Sequence, residues 1–99
     1  MNLRWPCLLL SLLLGACVGP APVKDYNLAF TAMTAAKNAE AQKHAPGYWS
    51  RAQKAYRQAV KQYRDREYDK ALASFKEAKL FAERAENFTA LKRMREGGS

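Results

Sequence analysis

Few residues in this chain have the type and spacing that chemistry needs. His44 stands alone beside a turn, with no second His and no ligand-spaced carboxylates to complete a metal site. Glu67 and Asp69 flank Tyr68, but on a helix they would point to different faces, which does not suit paired acid–base work. Ser50 and Ser74 have no evident base nearby, and no Gly-rich loop is present to cradle a phosphate. These residues predict no enzyme activity, no cofactor and no metal. Two thiols remain, Cys7 and Cys17, in the first part of the chain.

The surroundings of those thiols are informative. Cys7 lies at the head of an apolar run, Cys7 to Leu14, preceded by the short basic stretch Met1-Asn2-Leu3-Arg4. The run is too short to span a bilayer, which takes about 20 apolar residues. It fits the apolar segment of a signal peptide. Leu14-Gly15-Ala16-Cys17 follows. This resembles the lipobox of bacterial lipoproteins. The resemblance implies cleavage before Cys17, with Gly15 and Ala16 suiting a narrow peptidase cleft, and acylation of the Cys17 thiol. Two or three acyl chains make a stable anchor where one binds only marginally. A plain secretory signal with an incidental Cys is the competing reading. Val18 rather than Asp follows the Cys. Under the enterobacterial sorting rule that implies the outer membrane, on its periplasmic face, with the inner membrane as the alternative. Domain boundaries follow: signal peptide 1–16, lipidated Cys and linker 17–23, helical domain 24–96, loose tail 97–99. With Cys7 removed and Cys17 lipidated, no thiol remains for a disulfide.

Fully extended, the linker Val18-Gly19-Pro20-Ala21-Pro22-Val23 spans about 20 Å, so the domain stays near the membrane. From Lys24 the chain turns to Ala, Lys, Arg, Gln and Glu, all strong helix formers. Ala45-Pro46-Gly47 is a clear breaker. A subtler one lies at Tyr63 to Tyr68, where Asp65 can cap a new helix. The spacing predicts helices over 24–44, 47–64 and 66–95. That makes an all-α, up-down-up three-helix bundle: a helical hairpin plus an N-terminal helix.

Each helix carries Ala at positions sharing one face: Ala32, Ala36 and Ala39; Ala52 and Ala59 around Tyr56; Ala71 and Ala78 around Phe75, with Ala82 and Ala85 continuing the same line. Such stripes let helix axes approach toward the close end of the usual 8–10 Å. Tyr56, Tyr63, Tyr68 and Phe75 supply bulk between them. The segment from Ala45-Pro46 to Ala85 resembles a family of small, Ala-rich bacterial envelope domains of unknown function, common in lipoproteins, over about residues 27–86. Tyr68, Ala71, Phe75 and Ala78 also resemble the second helix of a tetratricopeptide repeat, although Gln62 falls at an aromatic place of the first. Some family members precede a peptidoglycan-binding domain; this chain has none, so wall binding does not carry over.

By length, the third helix outruns its partners. The overhang is expected to begin near Glu86 and to present Phe88, Leu91 and Met94 as a partner or self-association surface. The alternative is scattered surface residues, which are normal.

The net charge is +8, from 17 Lys and Arg against 9 Asp and Glu. Losing Arg4 with the signal leaves a side-chain charge of +7. In the three-helix arrangement Lys24, Lys61, Arg64 and Arg66 gather at the anchored end, where they are expected to meet anionic headgroups. Lys92, Arg93 and Arg95 lie at the other end, facing wall polymer, a partner, or merely the helix C-terminus. Export sets nucleic acid aside. The reading is a non-enzymatic, membrane-anchored periplasmic adaptor in envelope assembly or maintenance. The alternative is a small component that binds peptidoglycan through its basic surface.

Overall fold

Alanine and unbranched polar side chains fold into helix wherever no breaker intervenes. A computed structural model describes residues 19–97 of the chain. It is all-α among those residues, with α1 at Val23–Asn38, α2 at Ala41–His44, α3 at Pro46–Arg64 and α4 at Tyr68–Gly97. The signal peptide, the lipobox Leu14 to Cys17 and the last two residues lie outside the described residues. Gly97, expected in the tail, is the last residue of α4.

The helix expected over 24–44 is two helices. Glu40 takes a left-handed backbone, φ 63°, between α1 and α2. A left-handed conformation costs a residue with a side chain about 1–2 kcal/mol. Alanine phase explains why it is tolerated. Ala29, Ala32 and Ala36 share one face of α1 and are buried. At 100° per residue, an unbroken helix would aim Ala41 about 140° from Ala36, and Ala45 about 180° away. The left-handed residue resets the phase, and Ala41 and Ala45 are buried in the same cluster as Ala36.

α3 opens with Pro46 at its first turn, where a missing N–H costs nothing. Its far end does not use Asp65 to start the next helix. Asp65 is the C-cap of α3. Arg66 takes φ 61°, with its N–H donating to the Tyr63 carbonyl at 3.1 Å. The Glu67 N–H donates to the Gln62 carbonyl at 2.8 Å. These two bonds form a Schellman stop, a position that favours Gly. Arg66→Gly is therefore expected to stabilise the protein by about 0.5–1 kcal/mol, through relief of left-handed strain less the added chain entropy. A urea titration checks this, and a lower midpoint for the variant would refute it.

α1 and α3 both pack chiefly on α4 and touch each other little, so α4 is the spine. The order is up-down-up. Tyr26 at the start of α1 lies 5.8 Å from Tyr63 near the end of α3, and 5.3 Å from Phe75 in the third turn of α4, between ring centroids. Of the 14 buried hydrophobic residues among those described, all but Trp49 and Phe75 are Ala. The stripe expected on α4 is realised: Ala71, Phe75, Ala78, Ala82 and Ala85 are each 0% exposed. Gln62, at the aromatic place of the tetratricopeptide pattern, instead accepts a 2.6 Å hydrogen bond from the Ser74 hydroxyl and ties α3 to α4.

The overhang of α4 starts later than Glu86. Thr89 is fully buried, its hydroxyl donating to the Ala85 carbonyl, and Arg93 pairs with Glu40 at 3.3 Å. The reason is register. Tyr26, the fourth residue of α1, sits against Phe75, the eighth of α4. That offset carries α1 about 6 Å further along α4 than equal starts would, and α2 then packs on α4 beyond it.

Candidate functional site

The two ends of the bundle differ in chemistry. At the end where the chain arrives at Val23, aromatic rings stack into one cluster. Tyr26 lies 6.5 Å from Tyr56, Tyr56 lies 6.0 Å from Phe75, and Tyr63 lies 5.7 Å from Tyr68. Such tilted and edge-on pairs contribute about 0.5–1.5 kcal/mol each beyond area burial. Burial, followed by a hydrogen bond and charge repulsion from the Tyr26 hydroxyl, pushes Tyr56 up to about 12. Its phenol therefore stays neutral at any physiological pH. Tyr26 was not singled out by sequence reasoning. The signal was present, because Tyr26 precedes Ala29, Ala32 and Ala36 at helical spacing.

Lys24, Lys61, Arg64 and Arg66 are exposed around this cluster, and none forms an ion pair among the described residues. Acids are interspersed with them. Counting the first turns of α1 and α4, the last turn of α3 and the turn between, Lys24, Lys61, Arg64, Arg66 and Lys70 face Asp25, Asp65, Glu67 and Asp69. A basic group near an anionic surface contributes about 1 kcal/mol and an acid there opposes it. Five against four leaves little net attraction, so this end is charged but nearly balanced.

The opposite end holds a cleft of about 490 Å³ between the α2–α3 turn and α4. His44, Gly47, Tyr48, Arg51, Phe88 and Lys92 are among its lining residues. Each element delivers its part for a local reason. The break after α1 turns α2 over the end of the bundle, bringing His44, half-buried, to within 3.8 Å of Glu40. Pro46 starts α3 and sets Tyr48 and Trp49 in its first turn. Trp49 turns inward and joins the core beside Ala82 and Ala85, its Nε1 buried without an acceptor among the described residues. Tyr48 turns outward and meets Phe88 edge-on at 6.3 Å. The Tyr48-Trp49 pair thus splits between a core anchor and a cleft wall.

The expected surface on α4 splits as well. Phe88 belongs to the cleft, whereas Leu91, 53% exposed, and Met94, 71% exposed, lie outside its lining. His44, Arg51 and Lys92 come together from three elements, and no spacing in the sequence marked them as a group. Arg51 is held over the Phe81 ring, its guanidinium carbon 5.8 Å from the centroid. Neither Arg51 nor Lys92 has an ion pair among the described residues. Among those residues no group of three or more His, Cys, Asp or Glu could hold a metal ion, and no helix is long and apolar enough to cross a membrane. Compared with family models, with curated proteins and with solved structures, the chain matches none.

Proposed function

We propose that the chain is a lipoprotein that acts without catalysis. It is held by acyl chains on Cys17 to the periplasmic face of the outer membrane and serves as a helical adaptor in envelope assembly or maintenance. The observation that carries this reading is a polarity along the molecule. The lipobox-like Leu14-Gly15-Ala16-Cys17 precedes the bundle by a few residues. Leu91 and Met94, exposed and apolar, lie some 23 residues along α4 from its start, about 35 Å away. The near-balance of charge at the Val23 end supports attachment through the acyl chains, with Lys24, Lys61, Arg64 and Arg66 as minor headgroup contacts. The Ala-rich envelope lipoproteins that the sequence resembles are the family in which this reading places it.

Replacing Cys17 with Ala is expected to release the protein from the membrane fraction, because no second anchoring signal follows in the helical body. Unchanged membrane association would sink the anchor. Photo-crosslinking from positions 91 and 94 in cells is expected to capture a partner or a second copy. Capture of neither would end the adaptor reading.

A second reading is favoured by one observation. At the far end Lys37, Lys43, Arg51, Lys92, Arg93 and Arg95 outnumber Glu40, Glu86 and Glu96. The excess of positive charge thus faces away from the anchor. Direct contact with anionic wall polymer would use it. Co-sedimentation with purified peptidoglycan at low salt, lost as salt rises, distinguishes that reading from the adaptor.

A further inference from the structure

We infer that the distal cleft is a binding site for the free carboxylate end of a peptide with an apolar last residue. The inference rests on the chemistry of the cleft and does not depend on membrane anchoring. A volume of about 490 Å³ is within the range of small-ligand sites. Arg51 and Lys92 approach it from different helices, and among the described residues no carboxylate neutralises either. Glu40, an acid at this end, is already engaged by Arg93 at 3.3 Å and lies 3.8 Å from His44. Two cations left unpaired in a concavity raise the local concentration of anions.

The walls add what a bare anion would not use. Tyr48, 36% exposed, and Phe88, 48% exposed, present ring surface to the cleft. Covering it stabilises a ligand with an apolar body beside its charge. The Gly47 and Tyr48 N–H groups, in the first turn of α3, find no acceptor among the described residues. They add donors at the cleft, whose lining includes both residues. The requirement is thus one carboxylate, met by a fork from Arg51 and a point charge from Lys92, with an apolar side chain against Tyr48 and Phe88.

The test uses the full chain in detergent and two-dimensional NMR of the backbone amides. The probe is N-acetyl-alanyl-phenylalanine as the free acid. It is expected to shift the Gly47 and Tyr48 amides saturably, with Kd on the order of 0.1–1 mM. The C-terminal amide of the same peptide is expected to bind at least about tenfold more weakly. Arg51→Gln and Lys92→Met are each expected to weaken the acid about tenfold, and Phe88→Ala by a smaller factor. Lys76→Gln, on the exposed side of α4 and outside the cleft lining, leaves binding unchanged, and helix content by circular dichroism confirms that each variant is folded. Equal binding of acid and amide overturns the proposal. So does the absence of saturable shifts up to about 10 mM, a fully retained affinity in both Arg51→Gln and Lys92→Met, or inorganic phosphate binding as tightly as the peptide, which would make the cleft a bare anion site.

Discussion

Phe75→Ala is expected to abolish cooperative folding. Among the described residues Phe75 is the only large hydrophobic one that is fully buried, and its ring meets Tyr26, Tyr56 and Tyr63 at 5.3, 6.0 and 6.3 Å. Phe→Ala in a core costs about 3–5 kcal/mol. The ring contacts add to the loss, since three Tyr rings then lose their common neighbour. A domain of this size has roughly 4–12 kcal/mol in total, and one with an alanine interior belongs at the lower end. The loss therefore rivals the whole stability. Far-UV circular dichroism against temperature is expected to show a broad, non-cooperative decline for Phe75→Ala. Phe75→Leu, which keeps most of the volume, should retain a sharp transition at a lower midpoint. A sharp Phe75→Ala transition within a few degrees of the parent would show that the aromatic cluster does not hold the three helices together.

Ala82→Leu is expected to be nearly as damaging, for the opposite reason. Ala82 is 0% exposed in a cluster whose other members are Ala, apart from Trp49. Added methylenes have no void to fill where helices approach over alanine. Overpacking typically costs about 1–3 kcal/mol, and the upper end applies here because the helix axes must move apart. Ala73→Leu, on the exposed side of the same helix, provides the comparison and should fall within about 0.5 kcal/mol of the parent. Urea midpoints for the two variants decide the matter. Equal midpoints would mean that the alanine faces are not in close contact.

The alanine stripes were the most legible feature of the sequence. A small residue recurring at helical spacing marks a face that another helix must cover, and that logic placed Ala71, Phe75, Ala78, Ala82 and Ala85 in the core. Ala45-Pro46-Gly47 was equally plain, since Pro cannot continue a helix but readily begins one. The break at Glu40 was not seen, because the residue that goes left-handed is neither Gly nor Asn. Its trace was present in phase: Ala36 and Ala41 are five apart, and only a break lets both face one partner. The late overhang of α4 depended on Tyr26 seating against Phe75, a register that helix lengths do not contain. The distal cleft was the least legible. His44, Tyr48, Arg51, Phe88 and Lys92 are scattered across 44–92, and only the path of α2 over the end of α4 makes them neighbours.

An interior built of methyl groups also shapes how the protein responds to temperature. Unfolding exposes little apolar side chain per residue while freeing a full complement of helical peptide groups. Apolar exposure raises heat capacity by about 0.45 cal/K/mol per Å², and polar exposure lowers it by about 0.26. The two contributions here nearly offset each other more than in a core of Leu, Ile and Phe. Stability should then vary gently with temperature, with a shallow maximum and slow loss on cooling. A modest free energy of folding would be spread over a wide thermal range.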